Sequence, residues 1–281
     1  MRSGTLPLIC LVGVSLLATG CGLNTAVLQK GGNGRMGVLL NYSCHAQPCD
    51  PIDPSKCTIV ITHGWNPLPR KIRCTFGPVG AAAIKSRFGD RYNVLSWDWN
   101  GVRVSAFGDG PISTGREQGR MLAAALRSRG VDPGRTQIIG HSLGTVVIAQ
   151  AAACMSDLGP FAQLTLLDPP ESMHEEIFQR QCITHHAQVV ENYWSPGVSG
   201  YGAPANYRGV RNYEIVGAPH PLIGIVNLGL SNHVYAMRWY YETMRCPTMP
   251  CGFQSSVLLC QCDCQATGAS PGRAAELAAV D

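Results

Sequence analysis

Gly140-His141-Ser142-Leu143-Gly144 stands between two runs that give it meaning. Thr136-Gln137-Ile138-Ile139 before it is an apolar run of strand type, and Thr145 to Ala153 after it (TVVIAQAAA) can form a buried helix. Strand, sharp turn and helix around Gly-x-Ser-x-Gly is the context of a nucleophile elbow. The turn needs glycines because the serine backbone is strained and its neighbours pass close to one another. The serine hydroxyl then stands at a helix N-terminus, where the dipole favours developing negative charge. A Gly-rich turn without chemistry would share the pentapeptide but has no need of these flanks.

Outward from the elbow the same alternation repeats. Met36 to Tyr42 reads as an opening strand, followed by a proline-rich loop from Gln47 to Lys56. Thr58-Ile59-Val60-Ile61-Thr62 is a β-branched run of the kind found in strands buried on both faces. Gly80 to Phe88 predicts a helix and Tyr92 to Trp99 a strand. Thr114-Gly115-Arg116-Glu117 has capping-box spacing and predicts a helix running to about Arg129. Phe161 to Leu167, Ala187 to Glu191 and Asn212 to Val216 read as strands, and Val234 to Met244 as a closing helix. Strands alternating with helices predict the α/β class, a mostly parallel sheet with helices on both faces.

A serine nucleophile needs a base, and the base an orienting acid. Asp168 follows a strand directly, 26 residues after Ser142, and Pro169-Pro170 stops the chain from continuing in the sheet. Its alternative role is a turn cap, since Asp-Pro often serves so. The rival acid is Glu191 at the end of the next strand. In the chain order Ser, Asp, His, the base comes last, which leaves His220 and His233. His220 lies between prolines in an apolar loop. His233 directly precedes a helix beyond the last predicted strand, where the base belongs. An oxyanion hole needs two backbone N–H groups. Leu143, after the nucleophile, would supply one, and Trp65 in the turn His63-Gly64-Trp65 the other. His63 itself reads as a structural loop histidine.

The chain has 281 residues, 45% hydrophobic and 14% charged, with a net charge of +4. That charge is too sparse for a nucleic-acid partner, and no basic cluster interleaves with aromatics. Arg2 followed by the apolar stretch Leu6 to Ala18 reads as an export signal, too short to span a bilayer comfortably. It ends in Leu17-Ala18-Thr19-Gly20-Cys21, which resembles a bacterial lipoprotein lipobox. The resemblance implies lipidation of Cys21, a membrane anchor and a place in the cell envelope; Gly22 after it favours the outer membrane of a Gram-negative cell. An ordinary cleaved signal with a chance cysteine is the alternative. Thirteen cysteines suit an exported protein. Without Cys10 and Cys21 an odd number remains, so at least one stays unpaired or bridges chains. Cys44 with Cys49 and Cys246 with Cys251 could close small loops; Cys57 with Cys74 and Cys154 with Cys182 are further candidate pairs. Cys260-Gln261-Cys262-Asp263-Cys264 is a weak metal pattern, and disulfides or a loose tail are preferred there. The domain reading is a signal over residues 1–21, a linker over 22–35, a catalytic domain over 36–245 and a Cys-containing, largely disordered tail over 246–281, its pattern fading from Cys246 and its disorder placed at Gln265 to Asp281.

Several of these stretches, in this order, resemble the pancreatic-lipase and lipoprotein-lipase family of α/β-hydrolases. They are Ile61-Thr62-His63-Gly64-Trp65, Asn93 to Trp99, Ile138 to Gly144, Leu166-Leu167-Asp168-Pro169 and Asn232-His233-Val234-Tyr235, covering roughly Gly37 to Thr243. The family places its acid directly after the strand that follows the nucleophile strand, as Asp168 is placed here. The resemblance implies an α/β-hydrolase fold and a Ser142–Asp168–His233 triad with Trp65 and Leu143 as oxyanion donors. It implies hydrolysis of carboxylic esters of lipids through an acyl-enzyme, without a cofactor. The chain departs from the family in three ways. Only about forty residues follow the last helix, too few for the family's C-terminal β-sandwich, so no colipase-type partner is expected. A lid would be short, within Ser195 to Asn206 or within Pro219 to Leu230. Glu171, Glu175 and Glu176 do not reproduce the family's calcium loop, so no metal is expected. Other readings are a phospholipase A1, a carboxylesterase of small esters, or a non-enzymatic envelope lipoprotein that scaffolds or binds.

Overall fold

The computed structural model describes residues 26–30, 36–43, 52–65, 73–99, 110–196, 202–215, 230–249 and 251–259. In chain order the strands are β1 Ala26–Lys30, β2 Met36–Asn41, β3 Cys57–Thr62, β4 Tyr92–Trp99, β5 Thr136–His141, β6 Phe161–Leu167, β7 Ala187–Trp194 and β8 Val210–Glu214. The helices are α1 Arg73–Phe88, α2 Gly110–Ser128, α3 Gly144–Cys154 and α4 Leu230–Arg245. The strands form one sheet in the order β1-β2-β4-β3-β5-β6-β7-β8. β1, β2 and β4 pair antiparallel, and every pairing from β4 to β8 is parallel. This order is that of the α/β-hydrolase fold.

The β-branched strands serve two cores at once. Val60, Ile138, Leu164 and Val190 face α2 and α3, where Leu122, Leu126, Val147 and Ile148 meet them. Ile59, Ile61, Val94 and Ile139 face the other way, against Ile84 of α1 and Tyr240, Tyr241 and Met244 of α4. Burial on both faces explains why these strands are continuous apolar runs.

Three expectations need correction. The linker over 22–35 contains β1, which pairs with β2 from Ala26↔Leu40 to Lys30↔Met36. Helix α2 begins at Gly110, so Thr114 lies inside it, fully buried, rather than at its N-cap. The disordered tail does not begin at Cys246. Gly252–Ser255 form a 3-10 turn, and Phe253 is fully buried against Phe88 and Tyr240, with ring centroids 5.8 and 6.4 Å away. The residues beyond 259 lie outside the described part. Two candidate bridges do not form: Cys154, Cys182, Cys246 and Cys251 are free thiols. The Cys182 thiol is directed to the Gln179 carbonyl at 2.9 Å, and Cys246 Sγ meets Thr248 Oγ1 at 3.1 Å. Cys57 is disulfide-bonded. Cys44, Cys49, Cys260, Cys262, Cys264 and the side chain of Cys74 lie outside the described residues.

The C-terminal turn is held by a buried carboxylate. Glu191 Oε2 accepts from Gln163 Nε2 at 2.7 Å and from the Tyr193 hydroxyl at 3.1 Å, and its Oε1 accepts from Ser255 Oγ at 3.1 Å. Burial outweighs these donors and pushes the Glu191 pKa up to about 7. A folded pKa above the unfolded value means that the native state keeps a proton the unfolded chain releases. The stabilisation is therefore full below the ordinary glutamate range and is lost as pH rises through about 7. The shift corresponds to roughly 3 kcal/mol. Glu191→Gln can still accept from Gln163 and Tyr193 and donate to Ser255. Thermal melts between pH 5 and 8 should show the wild type losing several degrees more than the Glu191→Gln variant. Parallel losses in the two proteins would remove Glu191 as the cause.

Candidate active site

The register aligns the chemistry at one edge of the sheet. His141 pairs with Leu167, and Leu167 with Tyr193. Ser142, Asp168 and Trp194 are therefore neighbours at the strand ends. The ladder runs one step further through both candidate residues: Ser142 N–H donates to the Leu167 carbonyl at 3.0 Å and Asp168 N–H to the Tyr193 carbonyl at 2.8 Å. Both residues then leave the sheet by a left-handed turn, with φ of 55° at Ser142 and 51° at Asp168. Among the described residues only Cys182 shares a positive φ without being glycine. Such backbone is costly for a side-chain-bearing residue and concentrates at functional sites.

The elbow's glycines are required by contact. A Cβ on Gly140 would lie 2.6 Å from the Gly144 carbonyl oxygen, and one on Gly144 would lie 2.7 Å from the His63 oxygen. Gly64 passes so close that a Cβ there would be 2.5 Å from Ser142 Cβ and 3.0 Å from its hydroxyl oxygen. The turn after β3 thus touches Ser142. Leu143 sits at the N-cap of α3 with no side-chain cap. Among the described residues, the N–H groups of Leu143 and Trp65 donate to no protein acceptor. Two unspent donors beside a serine, at a helix N-terminus, are what a tetrahedral oxyanion requires.

His63 shapes that turn. Its Nδ1 lies 2.8 Å from the Gly64 carbonyl oxygen, which can only accept, so Nδ1 carries the proton. A planar trans peptide points the next N–H away from that carbonyl, so the contact fixes the plane from which the Trp65 N–H projects. The ring stacks on Trp99 at 5.1 Å, and its Nε2 lies 3.2 Å from both Asp98 Oδ1 and the Trp99 nitrogen. The Trp65 side chain is 40% exposed, an apolar surface directly after the glycine that touches Ser142.

Asp168 is fully buried and its two oxygens are committed to different partners. Oδ2 meets His233 Nδ1 at 2.7 Å, and Oδ1 accepts the Ser195 N–H at 2.9 Å. His233 lies in the first turn of α4 rather than ahead of it. Its ring packs on His141, the neighbour of Ser142, with centroids 4.6 Å apart. The Ser142 hydroxyl makes no hydrogen bond among the described residues. A hydrogen bond between a serine and its base commonly tightens only around substrate.

Glu191, the rival acid, points instead into the network that holds the C-terminal turn, where it accepts from Gln163, Tyr193 and Ser255. His220, Cys21 and Pro219 to Gly229 lie outside the described residues, as do residues 197–201 within the other lid candidate. After Asp168, Glu175 pairs with Arg180 at 2.9 Å, and Glu176 with Arg116. Ser195 and His141 were not anticipated from sequence; a lone serine after a strand, and the variable position of a Gly-x-Ser-x-Gly motif, carry no local signal.

The fold and these strand ends together define an α/β-hydrolase scaffold bearing a buried Asp–His pair beside a strained serine elbow. Neither a family model nor a curated protein matches the sequence. Among solved structures, the chain is similar to an esterase of Pyrobaculum calidifontis at 10% identity, covering 79% of this chain and 84% of that one, with a TM-score of 0.45. It is similar to an esterase of Thermogutta terrifontis at 14% identity, covering 77% and 91%, with a TM-score of 0.42. It is also similar to a prolyl endopeptidase at 12% identity, covering 78% of this chain and 38% of that one, with a TM-score of 0.42.

Proposed function

We propose that this protein is a serine hydrolase that cleaves carboxylic esters through an acyl-enzyme on Ser142. The observation that carries the reading is the 2.7 Å contact between buried Asp168 and His233 Nδ1, placed beside a serine at φ 55°. Ser142 Oγ attacks the acyl carbonyl as His233 Nε2 takes its proton. The N–H groups of Leu143 and Trp65 receive the oxyanion. The tetrahedral intermediate collapses, and His233 returns the proton to the departing alcohol. Water, activated by the same imidazole, attacks the acyl-enzyme and releases the acid. Asp168 holds the tautomer and stabilises the imidazolium throughout. The deciding experiment is labelling with a fluorophosphonate, which requires an activated serine. Wild-type protein should label at Ser142; a folded, unlabelled wild type would end the reading.

Lipid esters are the preferred substrates, supported by the exposed Trp65 next to the serine elbow's neighbour Gly64 and by the family resemblance of the motifs. A phospholipase A1 and a carboxylesterase of short soluble esters are the competing profiles. Rates on p-nitrophenyl esters from acetate to palmitate, and on phospholipid vesicles, separate the three. We also propose that Cys21 carries a lipid anchor in the cell envelope. Metabolic labelling with palmitate should be lost in a Cys21→Ser variant; retained label would move the anchor elsewhere. Among the described residues no helix is long and apolar enough to cross a membrane.

A further inference from the structure

The first turn of α4 presents two consecutive carbonyls to side chains carried by strand ends. The Asn232 carbonyl accepts from the Ser195 hydroxyl at 2.7 Å. The His233 carbonyl lies 2.9 Å from His141 Nε2. A carbonyl only accepts, so His141 must carry its proton on Nε2. His141 is 7% exposed, and burial, reinforced by the neighbouring His233, pushes its pKa down to about 3. The ring is therefore neutral, and its single N–H is committed to this contact across the pH range of ester hydrolysis.

His141 is the last residue of β5 and the residue before Ser142. Its N–H thus ties the backbone of the base to the strand end that carries the nucleophile. Asp168 fixes the imidazole of His233 from below through Nδ1, and Ser195 joins the acid to the preceding carbonyl. The serine hydroxyl contributes nothing to this hold, since it makes no hydrogen bond among the described residues. We propose that His141 is a positioning residue, whose Nε2–H sets the distance between the base and the nucleophile. The proposal rests on the reading of Ser142 and His233 as nucleophile and base.

The competing role is space-filling, because the His141 ring also packs on the His233 ring at 4.6 Å. Two substitutions separate the roles. Glutamine places its Nε2 the same number of bonds from Cα as the imidazole Nε2, keeping the donor and losing the ring. Phenylalanine keeps the ring and loses the donor. Misplacement of a catalytic group by an ångström can cost about a hundredfold. His141→Phe should therefore lose about 10- to 100-fold in kcat on p-nitrophenyl butyrate with KM nearly unchanged. His141→Gln should stay within about threefold of wild type. Melting temperatures of both variants accompany the kinetics. If the phenylalanine variant does not fold, His141→Leu carries the same expectation with a smaller apolar side chain. Wild-type kcat in the folded Phe or Leu variant would overturn the proposal. So would equal losses in the Gln and Phe variants that track their melting temperatures. Fluorophosphonate labelling of wild type, and its loss in His233→Ala, tests the underlying triad separately. A labelled wild type with an unaffected His141→Phe variant would sink the positioning role alone.

Discussion

Ser142→Ala is expected to lower kcat on a p-nitrophenyl ester by about 10⁵- to 10⁶-fold and to abolish fluorophosphonate labelling. Nothing else in the described site can replace the nucleophile. His233 is committed through Nδ1 to Asp168. His233→Ala should cost nearly as much, and the double variant scarcely more, because groups that act on one proton and one bond are not additive. A residual rate roughly 10³- to 10⁴-fold above water should survive in all three, supplied by the Leu143 and Trp65 donors and by substrate binding. The alanine variant should fold as well as wild type, since it removes a hydroxyl that makes no hydrogen bond among the described residues. Steady-state hydrolysis within tenfold of wild type in the purified Ser142→Ala protein would refute the nucleophile, by a margin far outside the expected effect.

The parts legible from sequence are those whose signal is local. Thr58 to Thr62 and Phe161 to Leu167 read as strands because burial on both faces makes them continuous apolar runs, and the structure places β3 and β6 there. The elbow was legible because its glycines, strand and helix lie within twenty residues. What was missed depends on distant partners. β1 is a five-residue strand, AVLQK, whose pairing with β2 exists only across the Gly31 to Gly34 segment. Read alone, those glycines suggest a linker; between two strands they suggest a hairpin. The turn at Gly252–Ser255 has no periodicity and owes its order to Phe253 in the core and to Ser255 on Glu191. Helix α1 runs from Arg73, although Gly77 and Pro78 discourage reading a helix before Gly80. Gly77 is there for the sheet: a Cβ would fall within 2.6 Å of Ser96 Cβ.

The same contrast applies inside the site. Asp168 and His233 could be chosen by chain order and by their positions after β6 and before the main body of α4. That chain order cannot indicate what fixes their orientation. Ser195 and His141 do so through backbone carbonyls and an N–H, contacts for which neither residue type nor spacing leaves a mark.

Asp168→Asn should retain the fold and lose about 10⁴-fold in kcat, because the site dictates which way the amide must face. The Ser195 N–H lies 2.9 Å from Oδ1 and can only donate. An asparagine must therefore turn its oxygen to Ser195 and its NH₂ to His233 Nδ1, now the position of Oδ2. An NH₂ group offers hydrogens alone, so Nδ1 must become the acceptor and the imidazole proton moves to Nε2. That proton then faces Ser142, and the ring can no longer accept the hydroxyl proton. The reversed amide would restore the tautomer but would set an NH₂ against the Ser195 N–H in a fully buried place, leaving two donors unpaired. Asp168→Ala removes the orienting group without enforcing the wrong tautomer, so it should be no worse than Asn. Melting temperature, kcat and the imidazole proton resonances of the Asn variant test this together. A folded Asp168→Asn enzyme with kcat within tenfold of wild type would show that the acid is not Asp168.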